Sequence, residues 1–251
     1  MNFFFGIKTS YLSSRLNIPR FKNDSTKDLS YNLFSAMPKN NFWEIEKVDC
    51  EKDENFFFVD SSQTCNKKIF FLAKSNEIKT RISKLIDFNN YTNTTPEYRA
   101  NLQIRNKQGG FSSYQSDYPF TMTEKKGSIA SSIYALANEY AQINKLFLKN
   151  IYTLPVHEDF YLYFLDIVQK KTVFKTLIKT NLTNIIDIDK KDIKKDIYLF
   201  TKPYIGIPIF CSINKSHLSF EHTHPPHEYI LGNDKFTTVA NLKSKINEII
   251  I

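Results

Sequence analysis

Four of the five histidines fall within eleven residues near the C-terminus. They are His217, His222, His224 and His227, in the run HLSFEHTHPPHEY from His217 to Tyr229. Imidazole titrates near neutrality and ligates divalent ions. Three neighbouring rings, or two with a carboxylate, therefore suit a catalytic zinc or a similar ion. They equally suit a metal-free acid–base site or a pocket for an anion. In the metal version His222, His224 and His227 are the ligands, with Glu228 as the alternative third, and the metal lowers the pKa of a bound water. In the metal-free version one imidazole is the base and Glu221 or Glu228 sets its tautomer. The candidate catalytic set is thus His222, His224, His227 and Glu228. A purely structural cluster, its rings bonded to carboxylates or carbonyls, uses the same residues without chemistry.

The H-x-H-x-x-x-E spacing of His222, His224 and Glu228 resembles the first metal motif of the cupins. The upstream glycine of that motif is missing and Pro225-Pro226 interrupts it. Neither the cupin fold nor its function is carried over.

Two further segments offer ligand chemistry. Gly109 to Pro119 is dense in hydroxyl, amide and carboxylate groups around aromatic rings. Tyr114, Gln115 and Asp117 could hold a sugar or polar metabolite there, and the segment otherwise reads as a polar loop. Lys126, Gly127 and Ser128 stand before an apolar run at helical spacing, so free N–H groups and lysines would make an anion site at a helix start. A P-loop pattern is absent.

These groups need elements to position them. As a strand, the histidine run places Leu218, Phe220, His222 and His224 on one face, ending at the double proline. Tyr204 to Ile213 precedes it through a three-residue turn, so the two form a hairpin. Strands are also expected at Phe42–Val48, Asn55–Asp60, Lys68–Ala73, Tyr98–Ile104, Asp159–Val168 and Thr172–Thr180, with Asn55–Ala73 read as a hairpin. Helices are expected after a Ser75 cap (Ile78, Ile82, Leu85, Ile86) and after a Ser128 cap. The second carries Ile129, Ile133, Leu136, Ala137, Tyr140, Ile143 and Phe147, down to about Lys149. A last helix covers about Lys235 to Ile250. Residues 1–40 read as polar and irregular, with Phe3 to Phe5 as a strand or an exposed anchor.

The expected fold is α+β: a mostly antiparallel β-sheet of about seven to nine strands with two or three packed helices. One domain over 1–251 is preferred, and the Asn/Thr-rich stretch 89–96 is the place for an internal boundary. Hydrophobic residues make up 41% and aromatics 15%, enough to fold around a core. The net charge of +8 is spread out and shows no stripe of arginines with interleaved aromatics, which disfavours nucleic acid. Three irregular cysteines point away from a disulfide framework and towards the cytoplasm, and no run is long enough to span a membrane. The function expected is a hydrolase or group transferase acting through the histidine cluster on a polar or anionic substrate, such as a glycan or phosphorylated sugar. Its cofactor is unknown, a divalent metal such as zinc being the natural choice. The alternative is a non-catalytic binding or assembly module.

Overall fold

The computed structural model describes residues 2–20, 31–88, 99–124, 127–222 and 234–250. In chain order the strands begin with β1 (Asn2–Phe4), β2 (Leu12–Pro19), β3 (Tyr31–Lys39), β4 (Phe42–Lys47), β5 (Glu51–Lys52), β6 (Phe56–Asp60) and β7 (Ile69–Lys74). Then come β8 (Arg81–Ile82), β9 (Asn101–Asn106), β10 (Phe111–Gln115), β11 (Asp117–Pro119), the one-turn α1 (Phe120–Thr123), β12 (Ile129–Ser132) and β13 (Ile143–Lys149). The chain continues through β14 (Asp159–Asp166), β15 (Lys171–Lys179), β16 (Thr183–Asp187), β17 (Ile197–Lys202), β18 (Ile207–Asn214) and β19 (His217–His222), and ends in α2 (Asp234–Ile249).

The strands make four sheets, ordered β11-β1-β7-β3-β4-β8, β10-β9-β2-β6-β5, β12-β17-β14-β15 and β16-β13-β18-β19. The first core joins Phe3, Phe5, Trp43 and Phe71 to Leu16, Leu102, Ile104 and Tyr114 of the five-stranded sheet, and to Phe147, Cys211 and Phe220 of the β13 sheet. The other face of that last sheet presents Leu146, Leu148 and Phe210 to Phe160, Leu162 and Leu199, the second core. A sheet buried on both faces has no polar alternation to keep, which is why IPIFCSI in β18 reads as one apolar run. Ile246 and Leu242 of α2 cover Leu165 and Phe200 on the outer side of the β14 sheet.

The structure is 52% strand and 9% helical, so the α+β expectation is corrected to a mostly β fold. Two expected helices are absent. After Lys74 the chain makes a 3-10 turn at Ser75–Glu77 and the two-residue β8. From Ser128 it forms β12, a turn region and β13. The i, i+4 match there was accidental: Tyr140, assigned to the apolar stripe, is 80% exposed. Leu146 and Phe147 bury on opposite faces, as strand neighbours must. The supposed hairpin at Asn55–Ala73 is a crossing between sheets, β6 lying in one and β7 in another. The stretch 1–40 holds β1, β2 and β3, and Phe3 to Phe5 are fully buried rather than an exposed anchor. The hairpins β14–β15 and β18–β19 and the last helix form as expected. Among the described residues no helix is long and apolar enough to cross a membrane.

Candidate functional site

In β19 the ladder pairs Cys211 with Phe220 and Ile209 with His222. Leu218, Phe220 and His222 share the face turned to the first core, as the alternation demands. The His222 ring stands edge-on to Tyr114, centroids 4.8 Å apart. The contact arises because the turn after β9 lies against the turn before β19: Asn106 Nδ2 donates to the Lys215 carbonyl at 3.4 Å. Gly110 comes so close to the Ser216 carbonyl that a side chain has no room, and its φ of +89° is one that glycine adopts freely. His224, His227 and Glu228 lie outside the described residues, as does Lys126. His217 is exposed, and His157 is exposed with Nδ1 2.9 Å from the Thr180 carbonyl. Among the described residues no group of three His, Cys, Asp or Glu side chains is placed to hold a metal ion, so the zinc expectation finds no support there.

The second expected anion site is corrected with its helix. Gly127 donates its N–H to the Pro203 carbonyl and approaches Ile205, while Ser128 is exposed immediately before β12. No helix starts there, so no fan of free N–H groups exists.

The segment 109–119 is different again. It is not a loop but β10 and β11, joined at Ser116, whose hydroxyl bonds the Phe5 carbonyl. Tyr114 turns inward and is buried, and burial followed by the Asp117 charge raises its phenol, which stays protonated. Gln115 turns outward and donates Nε2 to Asp117 Oδ2 at 3.0 Å. The Ala100 N–H reaches Asp117 Oδ1 at 3.4 Å. Burial pushes this carboxyl up to about 7, against the opposing pull of the Ala100 N–H and Arg99.

Gln115 is one corner of a larger surface. Across the five-stranded sheet the registers place Gln115, Asn101, Asn17, Phe58 and Glu51 in one row. Ser113, Gln103, Arg15 and Asp60 form the next, and Phe111, Arg105 and Ser13 the third. All lie on the face opposite Leu16, Leu102, Ile104 and Val59, which are buried in the core. The result is a polar plate with Phe111 on one edge strand and Phe58 next to the other edge, inside Glu51.

Its donors and acceptors are only partly used. Arg15 stacks 4.3 Å from the Phe58 centroid and donates Nη2 to Glu51 at 2.8 Å. Its Nε and Asn17 Oδ1 are buried and lack a partner among the described residues. The side chains of Asn101, Gln103 and Ser113 have no hydrogen bond within the described protein. The cations on the plate are also unusual for this chain. Its 34 basic residues comprise five arginines and 29 lysines, yet the outward positions hold Arg15 and Arg105 and no lysine. Arg20 and Arg99 flank the same strands, so four of the five arginines gather at this sheet. A merely solvated face would draw on the abundant lysine. Arginine adds a planar fork of donors that stacks on rings.

Of this candidate surface and its margin, sequence reasoning singled out Gln115 and Asp117 and passed over Ser13, Arg15, Asn17, Asn101, Gln103, Arg105 and Ser113. The signal was present in Tyr98–Ile104 and the residue after it, where Leu102 and Ile104 point inward and leave Asn101, Gln103 and Arg105 outward.

A separate cleft of about 380 Å³ opens between Asn32, Lys47, Asp49, Cys50, Lys52 and Phe57. Burial raises the Cys50 thiol, which works against a nucleophilic role. No protein-family model, curated protein or solved structure matches the chain.

Proposed function

We propose that the protein is a carbohydrate-binding module and that the outward face of the five-stranded sheet is its binding surface. The observation that carries the reading is the composition of that plate: amides, two serines and ring-stacked arginines whose hydrogen-bonding groups are largely uncommitted, edged by phenylalanines. Sugar hydroxyls both donate and accept, which amide pairs match on both counts. The C–H faces of a sugar ring pack on aromatic rings at the margin.

Charge balance favours a sugar over nucleic acid, since Arg15 and Arg105 are offset by Glu51 and Asp60 on the same plate. A phosphate chain laid across it would meet both carboxylates.

The test is a thermal-shift screen of the whole chain against soluble oligosaccharides, followed by titration calorimetry on those that raise its stability. Asn101→Ala with Gln103→Ala should weaken the best ligand at least tenfold, about 1.4 kcal/mol, while leaving the melting temperature unchanged. Unaltered affinity in that variant, or binding of single-stranded RNA in place of any sugar, removes the proposal.

A further inference from the structure

We infer that the oligosaccharide is acidic, and that one oxyanion of it, a carboxylate or sulfate, is held by Arg105 above the Phe111 ring. This rests on the sheet plate being the binding surface. The two outward arginines are not equivalent. Arg15 is already neutralised by Glu51 at 2.8 Å and held against Phe58. Arg105 makes no ion pair with the described residues, and its guanidinium carbon lies 5.8 Å from the Phe111 centroid. Phe111 is 54% exposed, so both groups of this pair face solvent.

The row that contains them, Phe111, Arg105 and Ser13, holds no acidic residue, whereas the other two rows end in Asp60 and Glu51. The turn beyond Arg105 is Asn106-Lys107-Gln108-Gly109-Gly110, and Asn106 ties it to Lys215 in the turn before β19. That end of the plate is therefore positive, and the opposite corner is negative. A guanidinium binds an oxyanion through two parallel N–H donors, a geometry that lysine cannot supply. Ser113 and Gln103, which precede Arg105 along the plate, have free side chains for the neutral hydroxyls of the same sugar residue. A single anion is accommodated at one end, while a polyanion running the full width would meet Glu51 and Asp60.

Matched pairs of oligosaccharides decide the matter, because the members of each pair share one sugar backbone and differ at the anionic group. Trisaccharides in which one terminal residue alone is galacturonate, glucuronate or mannuronate are titrated into the full chain at 0.15 M salt, each against its neutral methyl ester, together with cellotriose against a singly sulfated cellotriose. The charged member of at least one pair should bind tenfold or more tightly than its neutral partner. Preference within the uronate pairs identifies carboxylate as the anion, and preference within the cellotriose pair identifies sulfate. Arg105→Gln should bring that ratio close to one, Arg105→Lys should leave it intermediate, and Lys175→Gln on the β15 strand of another sheet should leave it intact. Equal binding of charged and neutral members overturns the inference but keeps the carbohydrate reading. Equal loss of the ratio in Lys175→Gln marks unspecific attraction to the basic chain and overturns it too. Failure of every oligosaccharide to bind removes the parent reading along with it.

Discussion

Replacing Lys149 by methionine should make the protein more stable, and by an amount that depends on pH. Lys149 sits on β13 with no exposed surface. Its Nζ donates to the Asn66 carbonyl at 3.2 Å and lies 5.6 Å from the Phe5 centroid, with no ion pair to a carboxylate among the described residues. Burial lowers its pKa from the ordinary 10.5 to about 7, the Cys65 thiol opposing weakly. A depression of about 3.5 pH units corresponds to about 5 kcal/mol of penalty on the charged form. The unfolded chain holds the proton more tightly than the folded one between pH 7 and 10.5. Folding stability from this group therefore rises with pH across that window, and below pH 7 the full penalty is present. Methionine has similar length and no charge. It forfeits one hydrogen bond of about 1 kcal/mol, while the Asn66 carbonyl keeps the Thr183 N–H at 2.9 Å. The gain should be about 4 kcal/mol at pH 6.5, falling to about 2 kcal/mol at pH 8.5, where about 3 kcal/mol of the penalty remains. Urea unfolding at the two pH values, followed through the fluorescence of Trp43, reports it directly, since this single tryptophan is fully buried. A variant less stable than the parent at pH 6.5, or a difference that does not shrink towards pH 8.5, refutes the reasoning. Comparing the two proteins at each pH also cancels the raised Cys211 and tyrosine groups, which titrate in both.

Asp117→Asn acts on the other side of neutrality. The Asp117 carboxyl is pushed up to about 7, so the stability it confers is complete below about pH 4 and is lost as pH rises towards 7. The variant should lose that downward limb and exceed the parent in melting temperature at pH 8; parallel melting curves from pH 5 to 8 would count against it. Gly110→Ala places a Cβ 2.6 Å from the Ser216 carbonyl at a φ of +89°. A loss of about 2–4 kcal/mol is expected from strain and displacement. Chemical denaturation checks it, with Ser113→Ala as the neutral control. A Gly110→Ala protein of parental stability would show that the two turns are not in close contact.

Much of the chain was legible because local pattern and final environment agree. Residues 159–179 and 204–222 alternate or run apolar between short turns, and the hairpins β14–β15 and β18–β19 follow. The last helix carries Leu242, Ile246 and Ile249 on one face, and that face covers Leu165 and Phe200. The false helix at 128–149 shows the limit. Its apolar residues satisfy a 3.6-residue repeat and also satisfy two strands on either side of a turn. The ladders β12–β17 and β13–β18, reaching about 70 residues along the chain, decide in favour of strands. The histidine run was correctly placed on a strand up to His222. What that strand packs against, the Tyr114 ring of a different sheet, was not written in its own spacing.

By itself the sequence determined the chemistry of each side chain and, within a strand, which neighbours share a face, because the period of two is a property of the local backbone. Only the tertiary structure decided that Ser13, Arg15 and Asn17 lie beside Asn101, Gln103 and Arg105, and those beside Phe111, Ser113 and Gln115. Register between distant strands is chosen by burying Leu16, Leu102, Ile104 and Tyr114 together. The polar plate is the other side of that choice, which no stretch of sequence contains.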